Sequence, residues 1–333
     1  MSGSAADEED APHGFPPHLP PFLQVENNAL PFVRPESISV TLDDVVGQAQ
    51  AKQALDALIT LPMQHPEQFS SGVLSLTSAA GVLLYGPPGT GKTMLAKAVA
   101  KSAGATFIAM NPSDIQDKFV GESEKTIKRL FETARRKAPC VIFLDEVDAL
   151  FSKRDFDRQG YRRDILNEFC MQWDGIKGSK NVIVLGATNR PFDLDEAVLR
   201  RFSRRVLVDL PSATEKRHLL VSLLKDETLE SPDLIDSLLP QLVHHSASDI
   251  KNVAIAAAMA AVRERPVGPR VLGRRHFDAA LKDVRPSVSN AMDAIVKLRE
   301  FASTMEGDGS GLKRVGFILP TLGRGWWVMR GAH

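Results

Sequence analysis

The chain has 333 residues, of which 43% are hydrophobic and 25% charged, ordinary values for a soluble globular protein that can bury a core. Its 41 basic and 41 acidic side chains cancel, so bulk charge lends no support to a nucleic-acid partner. Two isolated cysteines, Cys140 and Cys170, make neither a disulfide framework nor a zinc site and read as buried thiols in a reducing compartment.

Residues 1–38 are rich in proline, alanine and acidic groups and read as a disordered or extended lead. The acids from Asp7 to Asp10 suit neither a secretory signal nor a transit peptide. No apolar run reaches the roughly 18–20 residues needed to cross a bilayer. Membrane contact is therefore expected only indirectly, or through a segment outside this chain.

From residue 39 to 210, short apolar runs alternate with helical patterns. Val82–Tyr85, Thr106–Ala109, Val141–Leu144, Val182–Leu185 and Arg205–Leu210 read as strands. Met94, Leu95, Ala98 and Val99 mark one intervening helix, and Ile127, Leu130, Phe131 and Ala134 another. Continuous apolar strands separated by helices predict an α/β fold, a parallel sheet covered on both faces. Beyond Pro211 the pattern is helical to about residue 300, a smaller helical part in which Ser248-Asp249 is expected to cap a long alanine-rich helix. Residues 301–333 form an irregular tail with no period.

Gly86-Pro87-Pro88-Gly89-Thr90-Gly91-Lys92-Thr93 fits the G-x-x-x-x-G-K-[ST] phosphate-binding loop, with a strand before it and a helix after it. The glycines let successive N–H groups turn inward toward phosphate oxygens, and the following helix adds its positive end. Lys92 is expected to reach the β- and γ-phosphates of ATP, and the Thr93 hydroxyl to hold Mg²⁺.

The strand Val141–Leu144 ends in Asp145-Glu146. Carboxylates there face the ligand crevice of an open α/β sheet. Asp145 is assigned to the metal and Glu146 to polarising the attacking water. Asp148 reads as a surface or helix-capping acid. Asn189, after the strand Val182–Leu185, can orient the lytic water or simply form a turn before Arg190-Pro191. Arg200, Arg201, Arg204 and Arg205 crowd one stretch. A solvated face, a nucleic-acid contact and an arginine finger for a neighbour's ATP are equally compatible with that crowding.

The order GPPGTGKT, VIFLDEVDAL, GATNRPFDLDEAVLRRF resembles the AAA ATPases over about residues 38–300, and within them the group of spastin, katanin and the mitochondrial outer-membrane extractase. The stretches Val120–Lys125 and Leu199–Val206 look most like the extractase branch. The resemblance implies a P-loop NTPase large subdomain, a helical lid and a homo-hexamer with ATP between subunits. It assigns Asn189 as the sensor, and Arg200 and Arg201 as trans-acting fingers. It adds Gly47, Met94 and Ala247 to the nucleotide contacts. In Ser246-Ala247-Ser248-Asp249 the family often has glycine where this chain has Ala247. Lys118-Phe119-Val120 matches the pore loop that grips a polypeptide substrate, and Asp155–Arg163, with Arg158, Tyr161 and Arg162, a second such loop. A helix around Ser287–Phe301 fits the group and would brace the hexamer.

The expectation is an ATP-hydrolysing protein translocase, cytosolic and placed by the extractase resemblance at the mitochondrial outer membrane. The alternatives are a microtubule-severing or filament-disassembling ATPase, and a nucleotide-gated scaffold with little turnover.

Overall fold

A computed structural model describes residues 30–77, 81–115, 122–153, 160–176, 181–264, 270–287, 296–298 and 300–302. In chain order, α1 (Ala49–Leu55) runs through a wider turn into α2 (Leu61–Gln64). Then come β1 (Gly81–Tyr85), α3 (Lys92–Ser102), β2 (Thr106–Met110), α4 (Pro112–Ile115), α5 (Glu122–Arg136) and β3 (Cys140–Leu144). They are followed by α6 (Val147–Leu150), α7 (Gly160–Asp174), β4 (Val182–Thr188), α8 (Glu196–Arg201) and β5 (Arg204–Leu207).

These five strands form one parallel sheet in the order β2-β3-β4-β1-β5. Every residue of β1, β3 and β4 is buried, as the unbroken apolar runs predict for a sheet covered on both faces. The pleat divides them. Leu83, Ile142 and Val184 point to the side packed by α5, α7 and α8, while Val82, Leu84, Val141, Phe143 and Leu185 point to the side packed by α1 and α3. Burying each such side chain contributes about 1.5–3 kcal/mol. On the first side an aromatic chain runs from Phe131 through Phe169 and Trp173 to Phe202, with Trp173 and Phe202 edge to face at 4.8 Å.

Four observations extend or correct the sequence reading. Residues 30–38, expected in the irregular lead, pack on the sheet: Phe32 is buried, and Val33 exchanges backbone hydrogen bonds with Phe107 on the outer strand β2. That pairing covers an edge that would otherwise be open. Residues 1–29 and 303–333 lie outside the described residues. At the other end, Leu298 is buried, and Phe301 meets Tyr85 edge-on at 5.5 Å, so the chain returns from the lid to the large subdomain.

The lid comprises α9 (Ala213–Leu223), β6 (Thr228–Leu229), α10 (Leu234–Leu238), α11 (Ala247–Glu264), β7 (Val271–Leu272) and α12 (Arg274–Asp283) around its own apolar cluster. The parallel pair of β6 and β7 was not foreseen, because two residues are too short to show a period. The cap of α11 is also two residues earlier than expected. Ser246 Oγ accepts from Asp249 N at 3.2 Å and Ser246 N donates to Asp249 Oδ2 at 2.9 Å, a reciprocal box centred on Ser246 rather than Ser248. Among the described residues, no helix is long and apolar enough to cross a membrane.

Candidate nucleotide site

The site is built where β1, β4 and β3, three adjacent strands, end. β1 delivers the phosphate loop, β4 delivers Asn189, and β3 delivers Asp145 and Glu146. Ligands of open parallel sheets bind at this carboxyl edge.

In the loop, Gly86, Pro87 and Thr90 are buried and Pro88 and Gly89 exposed. The Thr90 hydroxyl donates to Pro87 O at 3.0 Å, bracing the turn from within. Gly91 precedes α3 in the left-handed region and Lys92 opens the helix, so the amides of the first turn are available to an anion. Lys92 is buried and donates from Nζ to Gly86 O at 3.0 Å and Pro87 O at 2.8 Å. Burial pushes its ammonium down to about 8, against the pull of Asp145 and Asp148. Met94, beside it, is exposed.

Thr93 Oγ1 donates to Asp145 Oδ2 at 2.7 Å, and Asp145 Oδ1 accepts from Glu146 N at 3.0 Å. The phosphate loop and the carboxylate strand, 52 residues apart, are thereby joined. Two hard oxygen ligands converge at this point, the donor set that suits Mg²⁺. Glu146 sits at φ 48°, left-handed and unusual for a residue other than glycine, with its side chain exposed above the strand ends. The Oδ1 atom of Asn189 is buried with no hydrogen-bond partner among the described residues, which leaves a pre-placed acceptor beside Glu146's strand.

Asp148 is neither a surface acid nor a cap. It is half-buried and its Oδ1 accepts from the Thr188 hydroxyl at 2.5 Å, tying the turn after β3 to the end of β4, just before Asn189. Sequence reasoning had no signal for this link, which spans 40 residues.

The lid closes over the loop. Ser248 N donates to Gly89 O at 3.1 Å. Gly89 has φ +72°, and a Cβ there would lie 2.5 Å from Ser246 Oγ, so the approach requires glycine. Ala247 opens α11 between those two serines and is half-buried. Gly47 lies at the turn that meets the first lid helix.

The arginines are not part of this assembly of side chains. Arg200 and Arg201 end α8, and the carbonyl of Arg201 would be 2.8 Å from a Cβ on Gly81, the first residue of β1. They therefore sit at the amino edge of the sheet, a strand length of about 13 Å from the phosphate loop at about 3.3 Å per residue. Their states differ. Arg201 is held by Asp174 through Nε at 3.2 Å and Nη2 at 2.7 Å, and donates from Nη1 to Ala197 O at 3.0 Å. Arg200 is 79% exposed, with Glu196 no nearer than 3.5 Å. Lys118, Phe119 and Val120 lie outside the described residues, as does Arg158, and Tyr161 and Arg162 fall at the start of α7.

Comparison with known proteins agrees with this geometry. Residues 82–210 match the model of the ATPase family associated with various cellular activities (AAA). The crystal structure of the FIGL-1 AAA domain in complex with ADP superimposes with a TM-score of 0.71 at 31% identity, covering 86% of this chain and 94% of that one. The chain belongs to the AAA ATPases. Spastin of Sus scrofa is 41% identical over 304 residues, 85% of this chain and 48% of that protein. A probable spastin homologue of Brugia malayi is 37% identical over 281 residues, 80% of this chain and 61% of that protein. A structure described as the basis for katanin self-assembly matches with a TM-score of 0.68 at 31% identity, covering 82% of this chain and 93% of that one. The chain spans about half to three-fifths of the curated relatives it matches. Its likeness is to the spastin–katanin branch, which moves the reading away from the extractase branch that the stretches around Val120 and Leu199 had suggested.

Proposed function

We propose that the chain hydrolyses ATP at a site shared between subunits and uses the cycle to remodel a protein polymer, in the manner of spastin-type severing enzymes. The observation that carries hydrolysis is the Thr93–Asp145 bond at 2.7 Å, which joins the phosphate loop to the strand bearing Glu146.

Lys92 exchanges its two loop carbonyls for phosphate oxygens, and its charge grows firmer as it does so. Thr93 and Asp145 would hold Mg²⁺, which would offset the charge developing on the phosphoryl oxygens. Glu146, at the mouth of the site, accepts a proton from the attacking water, and Asn189 Oδ1 accepts its second hydrogen and fixes its approach. Arg200 is exposed at the opposite edge of the same sheet and serves a neighbouring copy. This placement favours the finger reading over a solvated face or a nucleic-acid contact.

Severing, rather than extraction at the mitochondrial outer membrane, is the substrate reading that the spastin and katanin likeness supports. ATPase rate and filament length by microscopy, measured together on the full chain with stabilised microtubules, test it. Expected are a rate per subunit that rises with protein concentration and filaments that shorten only with ATP. Robust hydrolysis with intact filaments would return the substrate question to threading of single polypeptides, and no hydrolysis at any concentration would favour the scaffold.

A further inference from the structure

One carboxylate of the lid reaches across the joint to the large subdomain at the start of the lid. Glu215 belongs to the first turn of α9, and with Ser212 it forms a capping box: Ser212 Oγ accepts from Glu215 N at 3.3 Å, and Glu215 Oε2 accepts from Ser212 N at 2.7 Å. A helix cap requires nothing more. Yet the other oxygen, Oε1, accepts from Gln48 N at 2.7 Å, a donor 167 residues away in the large subdomain. Gln48 grips the same hinge a second time, donating from Nε2 to Asp209 O at 2.7 Å, two residues before Pro211.

The backbone is bent to make this contact. Gly47 and Gln48 both have positive φ, 73° and 57°, and the second is uncommon for a residue with a side chain. A Cβ on Gly47 would lie 2.1 Å from Glu215 Oε1, so only glycine lets the carboxylate in. Burial would raise the Glu215 carboxyl, but the hydrogen bonds from Ser212 and Gln48 outweigh it and hold it below the usual carboxylate range.

A second tie joins the lid to the phosphate loop, the Ser248 N to Gly89 O bond at 3.1 Å. The two joints are unequal. Across the first, a charge-assisted bond from Gln48 N to the carboxylate is backed by the Gln48 side chain on Asp209 O, and the second is a single neutral amide bond.

We propose that Glu215 is the pivot that sets the lid against the large subdomain, and so a positioning residue for the base and ribose of the nucleotide held between them. The proposal rests on the reading that nucleotide lies between the phosphate loop and the lid.

Two exposed positions report the lid angle, Lys97→Cys on α3 and Met259→Cys on α11. Cys140 and Cys170 are buried, which directs spin labels to the introduced thiols. Distance distributions by pulsed electron resonance are recorded on the full chain with and without ADP, beside titration of N-methylanthraniloyl-ADP. Glu215→Ala is expected to broaden the distribution about twofold. It is expected to weaken ADP binding about tenfold, a coupling usual for linked sites. Glu215→Gln, whose carbonyl still accepts from Gln48 N, is expected to fall between. A narrow distribution, or ADP affinity within about twofold of the parent in a variant with unchanged circular dichroism, overturns the pivot. If Glu215→Ala does not fold, Glu215→Gln decides by the same criteria. Lys92→Ala tests the underlying reading separately: ADP binding that survives it removes the phosphate loop from the site, while the label distances still judge the pivot.

Discussion

The two edges of the sheet carry opposite kinds of chemistry. At the carboxyl edge three charged groups have local partners: Lys92 on its loop carbonyls, Asp145 on Thr93, Asp148 on Thr188. At the amino edge Arg200 is exposed and its nearest acid is 3.5 Å away on the same helix turn, a contact that contributes little. Its neighbour Arg201, by contrast, is held by a bidentate acid and a backbone carbonyl. Phe202, next along, is fixed against Trp173, next to Asp174, so packing and the ion pair hold the end of α8 together. One edge gathers the phosphate loop with Asp145 and Glu146, and the other is an anchored platform presenting an exposed cation about a strand length away.

The largest effect should come from removing that cation. Arg200→Ala is expected to lower kcat by about 10³-fold or more, with ADP affinity of the isolated subunit unchanged. Mixing it with Glu146→Gln subunits should restore part of the rate, because a Glu146→Gln subunit still offers Arg200 to an intact neighbouring site. Steady-state ATPase across mixing ratios reads this directly, and a mixture no faster than its parts would place Arg200 on its own subunit's chemistry or outside the reaction.

Next in size is the carboxyl edge itself. Glu146→Gln is expected to cost about 10²–10⁴ in kcat, the usual contribution of a positioned general base, and to leave ATP binding within a few-fold. Because the glutamine keeps the shape of the residue at its left-handed position, the stability of the protein should be unchanged by thermal melting. Binding that fell with the rate would mean that Glu146 holds nucleotide rather than water.

Which of these features the sequence could reveal follows from how far apart their parts lie. The phosphate loop is eight consecutive residues, and β1, β3 and β4 are apolar throughout, so motif and strand ends were readable together. The three readings of the arginine cluster stayed level because choosing among them needs the position of α8 relative to Gly81, which is a property of the closed sheet. Asp148 with Thr188, Arg201 with Asp174, and Gln48 with Glu215 are 40, 27 and 167 residues apart, and no local pattern announces such pairs. Only the two capping boxes, Ser212-x-x-Glu215 and Ser246-x-x-Asp249, had a legible signature, and the second shows that the cap belongs to Ser246.

The smallest effect tests whether the carboxyl edge is as complete as its hydrogen bonds imply. Lys92, pushed down to about 8 by burial, is partly neutral in the free protein at mildly alkaline pH. Its folded value lies below that of an exposed lysine, so burying the charged form opposes folding below about pH 8, and this penalty fades as pH rises toward the unfolded value. Phosphate oxygens in place of Gly86 and Pro87 carbonyls favour the ammonium and move its value back up. Nucleotide binding at pH 8 should therefore take up about half a proton from solution, and almost none at pH 6.5. Calorimetric titration of ADP in two buffers of different ionisation enthalpy measures that uptake. Equal enthalpies in the two buffers at pH 8 would mean that Lys92 is already fully charged before nucleotide arrives, with Asp145 and Asp148 supplying the anion that the phosphates were taken to bring.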